Sequence, residues 1–358
     1  MKNIVIDFSD LDTQCGFGEI ARNYAPHIAA LNTDDLHFIF IVPRNHLGEY
    51  GSHIDYLTRE NLRTDLHHYK QPIHLWHATH QQFRYRHHAK ETLQLLTIHD
   101  LNYLYEKNGI HKLRHIVQTY FRIRHSHYVS TISHFVKQEI ERHVWGIKET
   151  PTVIYNGIAN MDNLPQQKPA FIDQAETPFF FSLGQVRLKK NLHTLIPMMQ
   201  HLPSYKLYIC GDDHFPYAQF LRTIIKAADR NRIVITGKIN EAEKRWLYSH
   251  CQAFLFPSRL EGFGLPVLEA MRFGAKVFSS RSTCMPEICG PHATYWNSYN
   301  PKVMAKVVQD GIKDWVRDGK AANLARQYSL TFNYDKYTSE YLALYRRLLN
   351  LDTGKGNN

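Results

Sequence analysis

The sequence predicts an α/β protein built as two doubly wound domains, each a parallel sheet covered by helices, facing across a cleft. Three observations carry that expectation. Short β-branched or aromatic runs alternate with helix-period segments along the 358 residues, the pattern of parallel βα units. That length exceeds one ordinary core and suffices for two. Between them, residues 156–178 ("NGIANMDNLPQQKPAFIDQAETP") are rich in Asn, Gln, Pro and acids, a linker by composition.

In chain order, the first half offers strands at "NIVIDFS", "LHFIFIV", "IHLWHA", "LQLLTIH" and "HYVSTIS", and the second at "PFFFSLG", "KLYICG", "RIVITG", "AFLFPS" and "KVFSS". The expected domains are residues 1–160 and 161–334. A last helix, about residues 335–350 ("YTSEYLALYRRLLN"), has apolar positions at helical spacing and is expected to pack back on the first domain. The tail "DTGKGNN" reads as disordered. Doubly wound sheets bind ligands at the carboxyl ends of their strands, so a cleft between the domains is the expected site.

Composition narrows the function classes. Hydrophobic residues make up 43% and aromatic residues 13%, which excludes a mainly disordered chain. The longest apolar runs, such as "FIFIV" at 38–42, fall far below the ~18 residues of a membrane span. The start, "MKNIVIDFSD", meets an aspartate after a handful of apolar residues and lacks a signal-peptide pattern. Five scattered cysteines without a CxxC pair fit a reducing cytoplasm. The net charge is +10, and 18 of the 23 histidines lie in the first 150 residues. Such a half suits phosphate groups, an anionic lipid surface or nucleic acid, and equally a solvated surface.

Several stretches can carry chemistry. In "FPSRLEGFGLPVLEAMRFG" a buried strand leads through a Gly-Phe-Gly turn into a helix with Pro266 in its first turn, where a missing N–H costs nothing. The free N–H groups of Phe263, Gly264 and Leu265, with the helix dipole behind them, would hold an anion. Glu261 in the loop and Glu269 one turn into the helix are placed to accept from sugar or ribose hydroxyls. In "SLGQVRLKKN" a strand ends at Gly184, and Lys189 and Lys190 precede the expected helix "NLHTLIPMM". Cations at a helix start oppose the dipole unless an anion sits between them, and a diphosphate would serve.

The first domain is less explicit. Gly16, Gly18 and Ala21 match G-x-G-x-x-A, but about seven residues after the first strand rather than directly after it. The second strand also ends in Val-Pro-Arg without the acid a dinucleotide site uses. Gly16, Phe17 and Gly18 are therefore expected to form a loop closing over a ligand. His99 ends a buried strand, where a histidine meets either substrate or a structural partner. His74, His77 and His80 are three apart in a strand, so their side chains diverge and no metal site is expected. Asp10 and Asp12 match D-x-D, a pattern common by chance. "HKLRHIVQTYFRIRH" is a basic amphipathic helix, suited to its own sheet or to a membrane surface.

Together these stretches resemble the retaining nucleotide-sugar glycosyltransferases of family 4, which have the GT-B fold. The resemblance is carried by Glu261 to Glu269 as the E-x7-E element, by "SLGQVRLKKN", and by "TIHD", "STISHFVKQEI" and "VIYNGI". It departs at "MRFGAKVF", where the family favours a small residue before the glycine and Pro-Val later. The resemblance implies that Glu269 holds the donor ribose and Glu261 the transferred sugar. It also implies that Lys189 and Lys190 neutralise the diphosphate and that His99 lies by the donor sugar. Gly237 to Ile239 would flank the base, and Gly16 to Gly18 the acceptor. The implied reaction moves a hexose, with mannose from GDP-mannose preferred, to a glycan or lipid-linked hydroxyl in surface polysaccharide or lipopolysaccharide synthesis. It needs no metal or resident cofactor, involves no nucleic acid, and is cytoplasmic, with peripheral contact to an anionic membrane. An NAD(P)-dependent oxidoreductase and a catalytically silent sugar-binding protein are the competing readings.

Overall fold

A computed structural model describes residues 1–82, 91–172 and 177–351. It contains two compact units: Met1–Ala159 together with the chain from Phe332 onward, and Asn160–Thr331. Unit 1 runs β1 (Lys2–Asp7), α1 (Gly16–Ala29), β2 (Leu36–Val42), β3 (Asp55–Thr58), α2 (Leu62–His68), β4 (Leu75–Ala78), β5 (Leu93–Ile98), α3 (Tyr103–Glu106), α4 (Gly109–His125), β6 (Tyr128–Thr131), α5 (His134–His143) and β7 (Thr152–Val153). Unit 2 runs β8 (Phe179–Leu183), α6 (Leu195–Met198), β9 (Lys206–Cys210), α7 (Pro216–Ile224), β10 (Ile233–Gly237), α8 (Glu241–His250) and β11 (Ala253–Phe256). It continues through α9 (Leu265–Arg272), β12 (Lys276–Ser280), α10 (Met285–Cys289), β13 (Ala293–Trp296), α11 (Pro301–Lys313) and α12 (Lys320–Leu330). The last helix, α13 (Tyr334–Leu348), belongs to unit 1.

The seven-stranded sheet of unit 1 has the order β3-β2-β1-β4-β5-β6-β7, and the six-stranded sheet of unit 2 the order β10-β9-β8-β11-β12-β13. Every pairing is parallel. Helices on both faces explain why the central strands are apolar without alternation: β2 "LHFIFIV" is buried except at His37 and β11 "AFLF" throughout. In each sheet the chain first grows one way and then returns to the far side of its first strand. That reversal falls between β1 and β4 and between β8 and β11. Neighbouring loops diverge there, which opens the crevice where such sheets bind ligands.

Three edge or near-edge strands, β3, β7 and β13, have only four, two and four residues and escape a pattern search. The expected helix "NLHTLIPMM" is broken: Asn191 takes a left-handed φ of 57°, and 3-10 turns at Leu192–Thr194 and Met199–His201 flank the four-residue α6. Pro197 within it has no N–H to continue an α-helical ladder. Within the segment 156–178, residues 156–159 belong to unit 1, and the rest of its described part is strapped to unit 2. Arg245 Nε donates to the Pro165 carbonyl (2.9 Å), Gln167 N to Ala242 O (3.1 Å), and Arg272 pairs with Asp162 (2.6 Å). The tail "DTGKGNN" lies outside the described residues.

A buried polar chain docks α13 on the unit 1 sheet. Tyr24 and Tyr345 hydroxyls meet at 2.9 Å, and Tyr345 bonds His77 Nδ1 at 2.7 Å. The other ring nitrogen meets Thr97 Oγ1 at 2.8 Å, which joins Ser130 and Tyr341 at 2.8 and 2.9 Å. Phe8, Phe40, Tyr337, Leu344 and Leu348 pack around it. Burial pushes the His77 imidazole down to about 3, so it is neutral in the fold. Its folded value lies below the unfolded one, so this contribution to stability is complete above about pH 6.5 and is lost as pH falls toward 3. Tyr345→Phe leaves His77 Nδ1 buried without its partner and is expected to cost about 1–3 kcal/mol. Urea unfolding at pH 7.5 checks it. An unchanged midpoint would show that the network does not hold α13.

Candidate functional site

The site builds from the reversal in unit 2. β8 ends at Leu183, and Gly184 follows at φ 141°. A 3-10 turn, Leu188–Lys190, then turns Lys190 back over the strand ends, where its ammonium lies 4.9 Å from the Phe256 ring centroid. β11 ends at Phe256, and the following loop carries Ser258 and Glu261. Glu261 Oε1 accepts from both Lys190 Nζ and Ser258 Oγ, each at 2.6 Å. Both bonds fall on one oxygen, leaving Oε2 as the oxygen to receive a ligand hydroxyl.

The loop is fixed before any ligand arrives. Arg259 N and Ser258 Oγ donate to the Lys189 carbonyl (2.8 and 3.3 Å), and the Cys284 thiol reaches the carbonyls of Glu261 and Phe263 (3.3 Å each). Gly264 caps α9 at φ 99°, a left-handed conformation, and a Cβ there would press on Met285 at 3.1 Å. Only glycine adopts this geometry without strain. The positive charges of Arg187, Lys189, Lys190 and Arg259 all come from the two loops at this reversal.

Glu269 is held on both oxygens by protein groups. It is 2% exposed, with Oε1 taken by Lys244 Nζ at 3.1 Å and Oε2 by Tyr248 OH at 2.9 Å. Here the carboxylate ties α9 to α8, and Lys244 also pairs with Glu241 at 2.8 Å. The two glutamates of the motif therefore have separate sets of partners. Phe273, at the departure "MRFGAKVF", stacks on that same Tyr248, with centroids 6.0 Å apart. Gly237 ends β10 at φ 77° beside Asp213, its carbonyl accepting from Gly211 N at 2.8 Å, while Ile239 is half-buried. Leu265 is half-buried and Phe263 buried.

In unit 1 the expected glycine loop is instead the first turn of α1. Cys15 is its N-cap and Glu19 N closes on the Cys15 carbonyl at 3.0 Å. A Cβ on Gly18 would lie 2.0 Å from Thr13 O, so glycine is required by close approach and not by a hinge. Phe17 lies stacked on His80 (centroids 4.9 Å) and edge-on to His99 (4.9 Å). His99 Nε2 lies 2.8 Å from Thr79 O, which assigns the proton to that nitrogen and leaves Nδ1 as an acceptor. Burial pushes its imidazole down to about 4, so His99 is a neutral hydrogen-bonding group near pH 7.

Beneath Phe17 lies a cluster that residue spacing did not reveal. His80 Nε2 is 3.1 Å from Asp10 Oδ2 and 3.7 Å from Asp7 Oδ2. Asp12 instead pairs with His46 at 2.9 Å, so the D-x-D residues have different partners. The bond to His80 holds the Asp10 carboxyl below its usual range. Asp7 is buried, and among the described residues its Oδ2 has no hydrogen-bond partner. Burial, opposed in part by His80, pushes it up to about 6.

The two sheets match solved structures along nearly the whole chain. Sucrose-phosphate synthase from Thermosynechococcus elongatus superposes with a TM-score of 0.74 at 18% identity, covering 98% of this chain and all of that one. Anabaena HepE, solved with UDP and glucose, gives 0.72 at 17%, covering 97% and all. The two Rossmann-like domains thus have the GT-B fold. Residues 165–330, the stretch that contains the Lys190–Glu261 site, match the family "Glycosyl transferases group 1". Over 157 residues the chain is 31% identical to the serotype-specific mannosyltransferase WbdA of Escherichia coli, a match covering 41% of this chain and 19% of WbdA. It is 27% identical over 252 residues to the O-antigen chain mannosyltransferase RfbU of Salmonella typhimurium, covering 68% and 66%. The chain thus spans about a fifth of WbdA and just under two thirds of RfbU.

Asp7 supplies a test of the unit 1 cluster. Its folded value is raised, so the penalty of an ionised, buried carboxylate exists above about pH 6 and fades as pH falls toward 3.8. Asp7→Asn keeps the acceptor for Ser9 N (2.9 Å) and is expected to stabilise the protein at pH 8 by on the order of 2–3 kcal/mol. The gain should shrink steadily toward pH 4.5. Melting curves at both pH values decide it, and a variant less stable than wild type at pH 8 would contradict the assignment.

Proposed function

We propose that this protein is a retaining hexosyltransferase of family 4, moving a sugar from a nucleoside diphosphate to a hydroxyl of a glycan or lipid-linked acceptor in surface polysaccharide or lipopolysaccharide synthesis. The observation that carries the reading is Glu261 Oε1 bonded to both Lys190 and Ser258 at the strand reversal, within the stretch that matches a glycosyltransferase family. Mannose carried by GDP is the donor we propose, since relatives named for mannosyl transfer recur among the matches.

The chemistry follows from the groups present. Departure of a nucleoside diphosphate builds negative charge on oxygen, and preorganised cations stabilise it without reorganising. Lys190 is held 2.6 Å from Glu261, so its charge is balanced while the site is empty. An arriving diphosphate offers the ammonium more charge than the single carboxylate, which frees Glu261 to bind the hydroxyls of the transferred sugar. Lys189 adds a second cation. In this reading the leaving phosphate helps deprotonate the acceptor, retention follows from attack on the same face, and no resident metal is required. A ribose reaching Glu269 would have to join or displace Lys244 or Tyr248.

A thermal-shift panel of GDP, UDP, ADP, dTDP, NAD and NADP, with and without EDTA, tests donor and metal together. Saturation at 100 times the dissociation constant adds about 2.7 kcal/mol. GDP alone is expected to raise the melting point, equally with EDTA present. A response confined to NAD or NADP would overturn the transferase in favour of an oxidoreductase. With the donor so identified, Lys190→Ala and Glu261→Ala should each lower transfer by about 30- to 1,000-fold, corresponding to ~2–4 kcal/mol. Folded variants with wild-type turnover would remove both residues from the mechanism, and donor binding without transfer by the wild type would identify a silent binding protein.

A further inference from the structure

Thr283, in the loop from β12 to α10, has a left-handed φ of 55°. Among the described residues, the others besides glycine with a left-handed φ are Asn163, Asn191 and Asn350, and asparagine tolerates that region. A threonine is out of place there, because its two branches at Cβ crowd the backbone. Glycine would adopt the same φ without strain. A strained threonine where glycine is comfortable points to a use for the hydroxyl.

That hydroxyl is bonded on both sides. Thr283 Oγ1 donates to Ser282 O at 2.8 Å and accepts from Glu261 N at 3.2 Å. The next side chain takes the other end of the same residue: Cys284 Sγ lies 3.3 Å from Glu261 O and 3.3 Å from Phe263 O. Burial, reinforced by the Glu261 carboxylate, holds this thiol well above its ordinary value, so it keeps the proton it donates. Ser280 Oγ, at the end of β12, donates to Ser258 O on the same loop as Glu261. In extended chain, consecutive side chains point to opposite faces. The left-handed turn at Thr283 lets residues 283 and 284 both address Glu261.

The backbone of Glu261 is thus held independently of its side chain, whose Oε1 is bonded to Lys190 and Ser258. The independence matters when a diphosphate draws the Lys190 ammonium away. The carboxylate then loses its charged partner and keeps its direction only through its own peptide and Ser258. A reacting group displaced by about 1 Å forfeits on the order of 100-fold in rate. We infer, on the basis of the transfer reaction proposed above, that Thr283 is a positioning residue. With Cys284 it clamps the Glu261 peptide, and so aims the carboxylate at the transferred sugar once Lys190 has turned to the diphosphate.

Three substitutions separate the hydroxyl from the backbone strain. Thr283→Ser keeps the hydroxyl, Thr283→Val keeps the shape and the strain without it, and Thr283→Gly removes both. Turnover is read as nucleotide released from the sugar donor, GDP-mannose in the expected case. Thr283→Ser should stay within about threefold of wild type, whereas the valine and glycine variants should each lose about 10- to 100-fold in kcat. Melting should follow a different order, with Thr283→Gly above Thr283→Val, because only valine keeps the strained φ. The stabilisation by GDP should be unchanged in all three, since GDP carries no sugar for Glu261 to hold. In a Glu261→Ala background, Thr283→Val should cost less than about twofold, as expected of a residue that acts through Glu261. Full turnover by Thr283→Gly would overturn the inference, as would a lost response to GDP or an undiminished effect of Thr283→Val without Glu261. A different failure is distinguishable: a wild type that releases no nucleotide, or one matched by Glu261→Ala, would remove the transfer reading itself and the positioning role with it.

Discussion

In both units the position of the chemistry is set by the reversal in strand order. A parallel sheet built outward from its first strand in two directions must send the loops after β1 and β4, or after β8 and β11, to opposite faces. The gap that results is lined by backbone groups that no helix covers and by whatever side chains the two loops carry. Gly184, Lys190, Ser258 and Glu261 occupy that gap in unit 2; Asp7, Asp10 and His80 occupy it in unit 1. These residues are far apart in the sequence, and sheet topology brings them together.

How legible this was depends on the range of the interaction. Central strands, buried on both faces, announce themselves as apolar runs, and β2 and β12 match their expected bounds residue for residue. β3, β7 and β13 have little such signal, because these edge strands are only partly buried and do not read as apolar runs. Local chemistry also misled. A proline and the left-handed Asn191 interrupt what reads as one helix after Lys190, and Gly16–Gly18 looks like a mobile loop although Gly18 is required by the carbonyl of Thr13. The Lys190–Glu261 pair involves two residues that the sequence picked out for different reasons. Ser258 gave no signal of its own and His80 entered only within a histidine triplet, both being defined by partners 3 and 70 to 73 positions away.

The two glutamates of E-x7-E show why a motif locates a site without fixing what each member does there. Eight positions separate them, with a left-handed glycine and a helix start between. Glu261 stays on the loop, part-exposed, against a cation that a phosphate can claim. Glu269 sits a turn inside the helix with a lysine and a tyrosine already bound to it. A buried carboxylate with both oxygens satisfied is expensive to disturb, since removing one partner leaves a charge without compensation. Its first effect is therefore to hold α8 against α9, and any contact with a ligand is made by a group already held rigid.

The same comparison of buried and exposed groups bears on α4. A helix lying against a sheet gains most when its apolar face is inward, yet here the inward positions include Thr119, His115 and Arg122 while Leu113, Val117 and Phe121 face out. The inward polar groups are satisfied: Arg122 by the Gln81 carbonyl, His115 by Lys107 and Tyr103. Rotating the helix by half a turn would bury more apolar surface, but it would expose Ile123 and break each of those bonds. Folding thus selects the present orientation through specific polar contacts, at the cost of apolar area left in water.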